Sequence, residues 1–151
     1  MSFSIDILAC GKKTHWMTAD IERYVKLIRP FTPLYFTWVK CGATGETHSK
    51  KTSATLSQNL VQNAYIAGLS ERGTLMNSMQ FARWLDEKRG RGKTLLFALG
   101  GAYGLPEWIE RECNEFVSLS PLTFPHKLAF HVLVEQIYRA FTILHNHPYH
   151  K

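Results

Sequence analysis

The six residues Thr94–Leu99, TLLFAL, form an unbroken apolar run of strand length. Such a strand is buried on both faces, as in a parallel sheet covered by helices on each side. It feeds directly into Gly100-Gly101-Ala102-Tyr103-Gly104, and Pro106 then sits well for the first turn of a helix. This one stretch commits the chain to an α/β architecture, and the remaining pattern agrees. Phe3, Ile5 and Ile7 alternate with Ser4 and Asp6 and predict a first strand ending near Cys10-Gly11. Further strands are expected over Leu34 to Lys40, Tyr65 to Leu69 and Phe116 to Ser120. Between them lie helical patterns. One is capped by Thr14, carries Ile21, Tyr24, Val25 and Ile28 on its face and is stopped by Pro30. Another, weaker one runs from Ser53 to Asn63, and a third is capped by Asn77 or Ser78. Strands alternating with helices imply a mainly parallel sheet with helices on both faces. No repeat, low-complexity tract or linker divides the chain, so residues 1–151 are read as one domain.

The last third is the most patterned part. A proline-bounded loop, Pro121-Leu122-Thr123-Phe124-Pro125, opens a long helix. Phe130, Leu133, Val134, Ile137, Phe141 and Leu144 recur at spacings of three and four and share a face. His131, Glu135, Arg139 and Thr142 lie on another, with Glu135 four residues before Arg139. Pro148 is expected to end the pattern within the tail HNHPYHK.

Charge bears on the partner. Eighteen Lys and Arg against twelve Asp and Glu leave a net charge of +6, which favours a polyanionic partner, nucleic acid first. The cluster Lys88-Arg89-Gly90-Arg91-Gly92-Lys93 reads as a solvated helix end or a phosphate contact. Residues 41–51, CGATGETHSKK, read as a solvated connector or a basic flap that closes on RNA. No apolar run approaches the roughly 20 residues of a membrane span, and no signal peptide is evident, so a cytoplasmic location is expected. The three cysteines form no CxxC pair and are expected as structural thiols rather than a disulfide framework. His145, His147 and His150 cluster in the tail, but their spacing matches no zinc signature, and no structural metal is expected. GGxxG alone is weak, lacking the Lys-Ser/Thr of a phosphate-binding loop; a tight turn into a helix explains it equally well.

"SLSPLTFPH", "EQIYRAFTIL" and the terminal "PYHK" resemble the ribosomal RNA large-subunit methyltransferase H family, as do "ILACGK", "ERYVKLIRPF", "LSERG" and the glycine pair at 100 and 101. The resemblance is close to full length. It implies a SPOUT-type fold with a C-terminal trefoil knot, and S-adenosylmethionine-dependent methylation of N3 of a pseudouridine in 23S ribosomal RNA. It places S-adenosylmethionine against Leu69, Gly101, Ser120, Pro121, Leu122, Thr123, Phe124 and Pro125. It gathers His126, Arg139, Tyr149 and His150 around the target nucleotide: Arg139 for charge stabilisation, and His126 or His150 for orienting the base or accepting its proton. It further implies a homodimer acting on ribosomal RNA or the ribosome, with one site drawing on both chains. Two other readings are a SPOUT enzyme acting on another RNA such as tRNA, and a non-catalytic RNA-binding relative.

Three features depart from the family pattern. Phe130 stands where an Arg is usual, so a cation is expected to be missing from the RNA surface, with Lys127 or His131 as the compensating groups. Tyr103 occupies a position that is often acidic or polar, and residues 53–63 lack the usual acidic, glycine-containing pattern.

Overall fold

A computed structural model describes residues 2–40, 63–101 and 104–151. Five strands, β1 (Ile5–Cys10), β2 (Leu34–Val39), β3 (Ala64–Leu75), β4 (Thr94–Leu99) and β5 (Glu115–Ser118), form one sheet in the order β2-β1-β4-β3-β5. Every pairing in it is parallel. The apolar run Thr94–Leu99 is β4, at the sheet's centre, and its last five residues are buried. Helices α1 (Lys13–Trp16), α2 (Ala19–Ile28), α3 (Ser78–Gly90) and α5 (His126–Leu144) cover one face, over Ile5, Ile7, Phe97 and Val117. The other face, with Leu8, Ile66, Leu96 and Ala98, is met by Ile109 of the short helix α4 (Glu107–Glu110). The expected flap at 41–51 and all but the last residue of the expected helix at 53–63, like Tyr103, lie outside the described residues.

Helix boundaries follow local hydrogen-bond chemistry. The expected single helix after β1 is two, because Thr18 rather than Thr14 caps α2, its hydroxyl accepting from Ile21 N at 3.3 Å. Asn77 caps α3 in a capping box with Gln80. Helix α5 ends earlier than Pro148 requires. Asn146 turns left-handed at φ 55°, while His147 N bonds Thr142 O and Asn146 N bonds Ile143 O, a glycine-type stop made with asparagine.

The apolar face of α5 behaves as its spacing predicts: Phe130, Leu133, Val134, Ile137 and Phe141 are fully buried. Each contributes about 1.5–3 kcal/mol, together comparable with the whole net stability of a domain. Leu144 is only half-buried, and Thr142, expected on the polar face, is buried with its hydroxyl on Arg139 O. Phe130 corrects an expectation. It is no gap in an RNA surface but core, packed on Trp16, Phe36 and Trp38 at ring separations of 5.3–6.0 Å.

The basic cluster at the end of α3 is largely neutralised. Arg89 pairs with Asp86 at 2.5 Å and Arg91 with Glu87 at 2.9 Å. Lys88 is buried, its Nζ 3.1 Å from Glu115 Oε1 and 4.4 Å from the centroid of the Tyr65 ring. The same oxygen accepts from Trp84 Nε1 at 2.8 Å and Tyr65 OH at 2.9 Å, tying α3 to β3 and β5. Of the cysteines, Cys113 is a free thiol that burial, helped by nearby Glu110, pushes up to about 11.

Burial alone would raise the Glu115 carboxyl, but hydrogen bonds from Trp84, Lys88 and Tyr65 outweigh it and hold it below the usual carboxylate range. A depressed carboxylate stabilises the fold above its unfolded pKa, and that contribution is lost as pH falls through the folded value. Glu115→Ala should therefore cost about 2–3 kcal/mol at neutral pH, because buried Lys88 loses its nearer anion and keeps only Glu87, at 3.7 Å. The loss should shrink in acid. Arg91→Ala, which breaks an exposed pair, should cost less than about 0.5 kcal/mol. Urea unfolding of the three proteins across pH reads both effects.

Candidate active site

The carboxyl ends of β3, β4 and β5 surround a cavity of about 520 Å³, the end of a parallel sheet where ligands bind and a size that suits a small-molecule site. Three loops build its wall. The first is a bulge in β3: Ala67–Leu69 and Thr74–Leu75 pair with β5, while the residues between leave the ladder and turn Ser70 and Glu71 into the cavity. The second follows β4. Gly104 takes φ +81° and returns its N–H to Gly101 O at 3.1 Å, closing a tight turn. The third follows β5. Ser118 Oγ donates to Ser120 O, and Leu122 N donates to Ser120 Oγ, which folds the loop back toward α5. The Thr123 hydroxyl donates to Glu71 Oε2 and joins the first loop to the third.

The two glycines before this turn differ in what they require. A Cβ on Gly100 would lie 2.2 Å from Gly104 C and 2.4 Å from Gly104 O, so the fold itself demands glycine there. Among the described residues, a Cβ on Gly101 would meet only Cys10 Cβ, at an ordinary 3.6 Å. The missing side chain at 101 is thus not needed for packing, and it leaves cavity wall where backbone can meet a ligand.

Seven of the eight residues expected to hold the cofactor line this cavity: Leu69, Gly101, Ser120, Leu122, Thr123, Phe124 and Pro125. Pro121, the eighth, is exposed and lies outside the lining. His126 lines the cavity as well, at the first turn of α5, its ring 5.0 Å from that of Trp16. Sequence reasoning missed Ser70, Glu71, Leu99, Leu105 and Leu119, which also contribute. The glutamate stood in the sequence only as part of the motif LSERG, with no role assigned to it, since a bulge leaves no trace in period-two patterning.

Arg139, Tyr149 and His150 gather elsewhere. The tail folds back on α5 so that the Tyr149 ring packs 4.8 Å from Tyr138 and 4.8 Å from the Arg139 guanidinium. Glu135 Oε1 is the shared acceptor, taking Arg139 Nε at 3.0 Å, Arg139 Nη2 at 2.8 Å and Tyr149 OH at 2.9 Å. Glu135 also strengthens the Arg139 cation. Arg139 Nη1 lies 3.0 Å from His150 Nδ1. A guanidinium can only donate, so in this hydrogen bond His150 Nδ1 is the acceptor and Nε2 is left as the ring's donor. Burial, with hydrogen bonds to Tyr24 and Glu135, pushes the Tyr149 phenol well above its ordinary value and keeps it protonated at neutral pH. The cluster can therefore offer N–H donors and a fixed cation, while its one carboxylate, Glu135, is engaged by Arg139 and Tyr149.

One chain does not bring all four expected catalytic residues together. His126 and Arg139 both lie on α5, and thirteen residues at about 1.5 Å per residue put roughly 20 Å of helix between them. Among the described residues no group of three or more His, Cys, Asp or Glu could hold a metal ion, and no helix is long and apolar enough to cross a membrane.

Comparison with known proteins places this geometry. A family profile described as "Predicted SPOUT methyltransferase" matches residues 3–150. A Trichlorobacter lovleyi protein named ribosomal RNA large subunit methyltransferase H is 36% identical over 148 residues, covering 95% of this chain and 97% of that one. A protein of the same name from Pseudothermotoga lettingae is 31% identical over 150 residues, covering 97% and 98%. Among solved structures, a protein from Neisseria gonorrhoeae assigned to a methylase family superposes with a TM-score of 0.57 at 13% identity, over 89% of this chain and 81% of that one. Another such protein, from Haemophilus influenzae, gives 0.54 at 14% identity, over 97% and 70%. At these identities the structural likeness concerns the fold.

The glycine pair separates folding from binding. Gly100→Ala should lose about 2–4 kcal/mol, since the clash is with backbone that cannot yield. Gly101→Ala should stay within about 1 kcal/mol of the parent. Thermal and urea unfolding of the two variants would show it.

Proposed function

The chain belongs to the SPOUT methyltransferase family, and from that membership we propose that it methylates N3 of a pseudouridine in large-subunit ribosomal RNA, in the cytoplasm, with S-adenosylmethionine as methyl donor. The observation that carries this reading is the cavity at the ends of β3, β4 and β5, walled by the loop that resembles the family's cofactor site. Its size and its apolar walls, Leu69, Leu122 and Phe124, fit an adenosyl group, and the open side of Gly101 fits close backbone approach. When bound, the cofactor supplies a methyl group already activated on a sulfonium.

The protein's own residues then have three tasks. The cavity loops hold the donor in line with the acceptor, where alignment itself lowers the barrier. The acceptor N3–H must lose its proton as the N–CH3 bond forms, and the negative charge left on the imide needs a cation and N–H donors. Arg139 supplies the cation. Three of its five N–H bonds go to Glu135 and His150, and two remain for the base. His150, with its proton on Nε2, suits a donor to a base carbonyl. We assign the proton acceptor to His126, the one histidine in the cavity wall.

These roles meet only if two chains combine. A two-fold homodimer would bring Arg139, Tyr149 and His150 of the partner subunit over the cavity that contains His126, and the symmetric copy would do the reverse. The exposed cations Lys12, Lys13, Arg23, Lys26 and Lys127 enter no ion pair among the described residues and are available to RNA phosphates.

The test uses purified protein, radiolabelled S-adenosylmethionine and ribosomes from cells without the endogenous methyltransferase, with a parallel sample carrying uridine at the target. Label in large-subunit RNA that requires pseudouridine is expected; label indifferent to pseudouridine, or none, contradicts the proposal. Arg139→Ala should reduce turnover on the order of 10²–10³-fold while leaving cofactor affinity near the parent value. A parallel fall in cofactor affinity would argue against its role at the base.

A further inference from the structure

The charge of the cavity runs against that of the protein. The chain carries a net +6, with 18 Lys and Arg, yet among the described residues no Lys or Arg lines the cavity. Its titratable lining side chains are Glu71 and His126. Glu71 is carried there by the β3 bulge, and its carboxylate accepts the hydroxyl of Thr123 from the opposite loop. A cavity of this kind in a basic protein is unsuited to phosphate and suited to a cationic or neutral ligand.

The two forms of the cofactor differ in that property. S-adenosylmethionine carries a sulfonium, an ammonium and a carboxylate, a net charge of about +1, whereas the demethylated product has a neutral thioether in place of the sulfonium and is neutral overall. We propose that Glu71 is the charge-sensing residue of the cavity, favouring the cationic methyl donor over the neutral product so that the spent cofactor leaves and the fresh one enters. This rests on the reading that the cavity holds the cofactor. Thr123 has a separate part: its hydroxyl orients the carboxylate and joins the two loops, so it should influence both ligands alike. Glu71 is itself exposed at the rim, where solvent screens a unit charge, so a modest preference is expected rather than an absolute one.

The experiment is calorimetric titration of the full-length protein with S-adenosylmethionine and, separately, with S-adenosylhomocysteine, at neutral pH and low salt. Glu71→Gln removes the charge but keeps an oxygen that can accept from Thr123. It should weaken S-adenosylmethionine roughly three- to tenfold and leave S-adenosylhomocysteine unchanged. The difference between the ligands should shrink in the parent protein as salt is raised. Thr123→Val should weaken both ligands by a similar factor and preserve their ratio. Equal losses for both ligands in Glu71→Gln, or no loss for either, would overturn the proposal while leaving the cavity as the cofactor site. Failure of the parent protein to bind either ligand would overturn both.

Discussion

Helix α5 is pinned to the sheet by Phe130, Leu133, Val134, Ile137 and Phe141, and both halves of the proposed chemistry hang from that seam. Its first turn presents His126 to the cavity. Its outer face, three turns on, presents Glu135 and Arg139 and receives the folded-back tail. The helix is rigid over this span, so neither end can travel to the other. The roughly 20 Å between them is a fixed property of the fold, and it turns the question of catalysis into a question of assembly.

Much of this was legible in the residues. The run TLLFAL could only be a strand buried on both sides, and the spacing of apolar residues after Pro125 could only be a helix lying on a core; both stand at the expected positions. The parallel sheet followed from alternation. What escaped was set by contacts that local pattern does not encode. The β3 bulge depends on how β5 registers against β3. The stop at Asn146 depends on a left-handed backbone that Pro148 masked as the obvious breaker. Lys88 looked like one more surface cation beside Arg89 and Arg91, and only the approach of Glu115 from a distant strand makes it a buried one.

Phe130 shows the same limit from the other side. Comparison with the family pattern marked it as a missing cation, whereas its own spacing marked it as core, and packing against Trp16 and Trp38 decides for core. The site residues were legible only through resemblance: nothing in periodicity distinguishes a cavity loop such as Ser120–Pro125 from any proline-bounded turn. Resemblance could name Arg139, Tyr149 and His150 but not their arrangement. The Glu135–Arg139 pair was legible in its i, i+4 spacing, whereas the contacts of Tyr149 with Glu135 and of His150 with Arg139 come from geometry alone. The charges separate along the same lines. Among the described residues, exposed cations lie outside the cavity and the cavity lining holds none, a separation that agrees with a polyanion at the surface and the proposed cofactor in the interior.

The account stands or falls on a site shared between chains, and mixed dimers test it most directly. His126→Ala and Arg139→Ala proteins, each inactive alone, would be co-expressed and the methylation rate of the mixture measured. If His126 of one chain works with Arg139 of the partner subunit, half of the sites in each mixed dimer are intact, and the mixture should recover about one quarter of the parent rate. If both residues serve the same chain's cavity, every site in the mixture carries a lesion. No recovery above the single variants would then contradict the shared site.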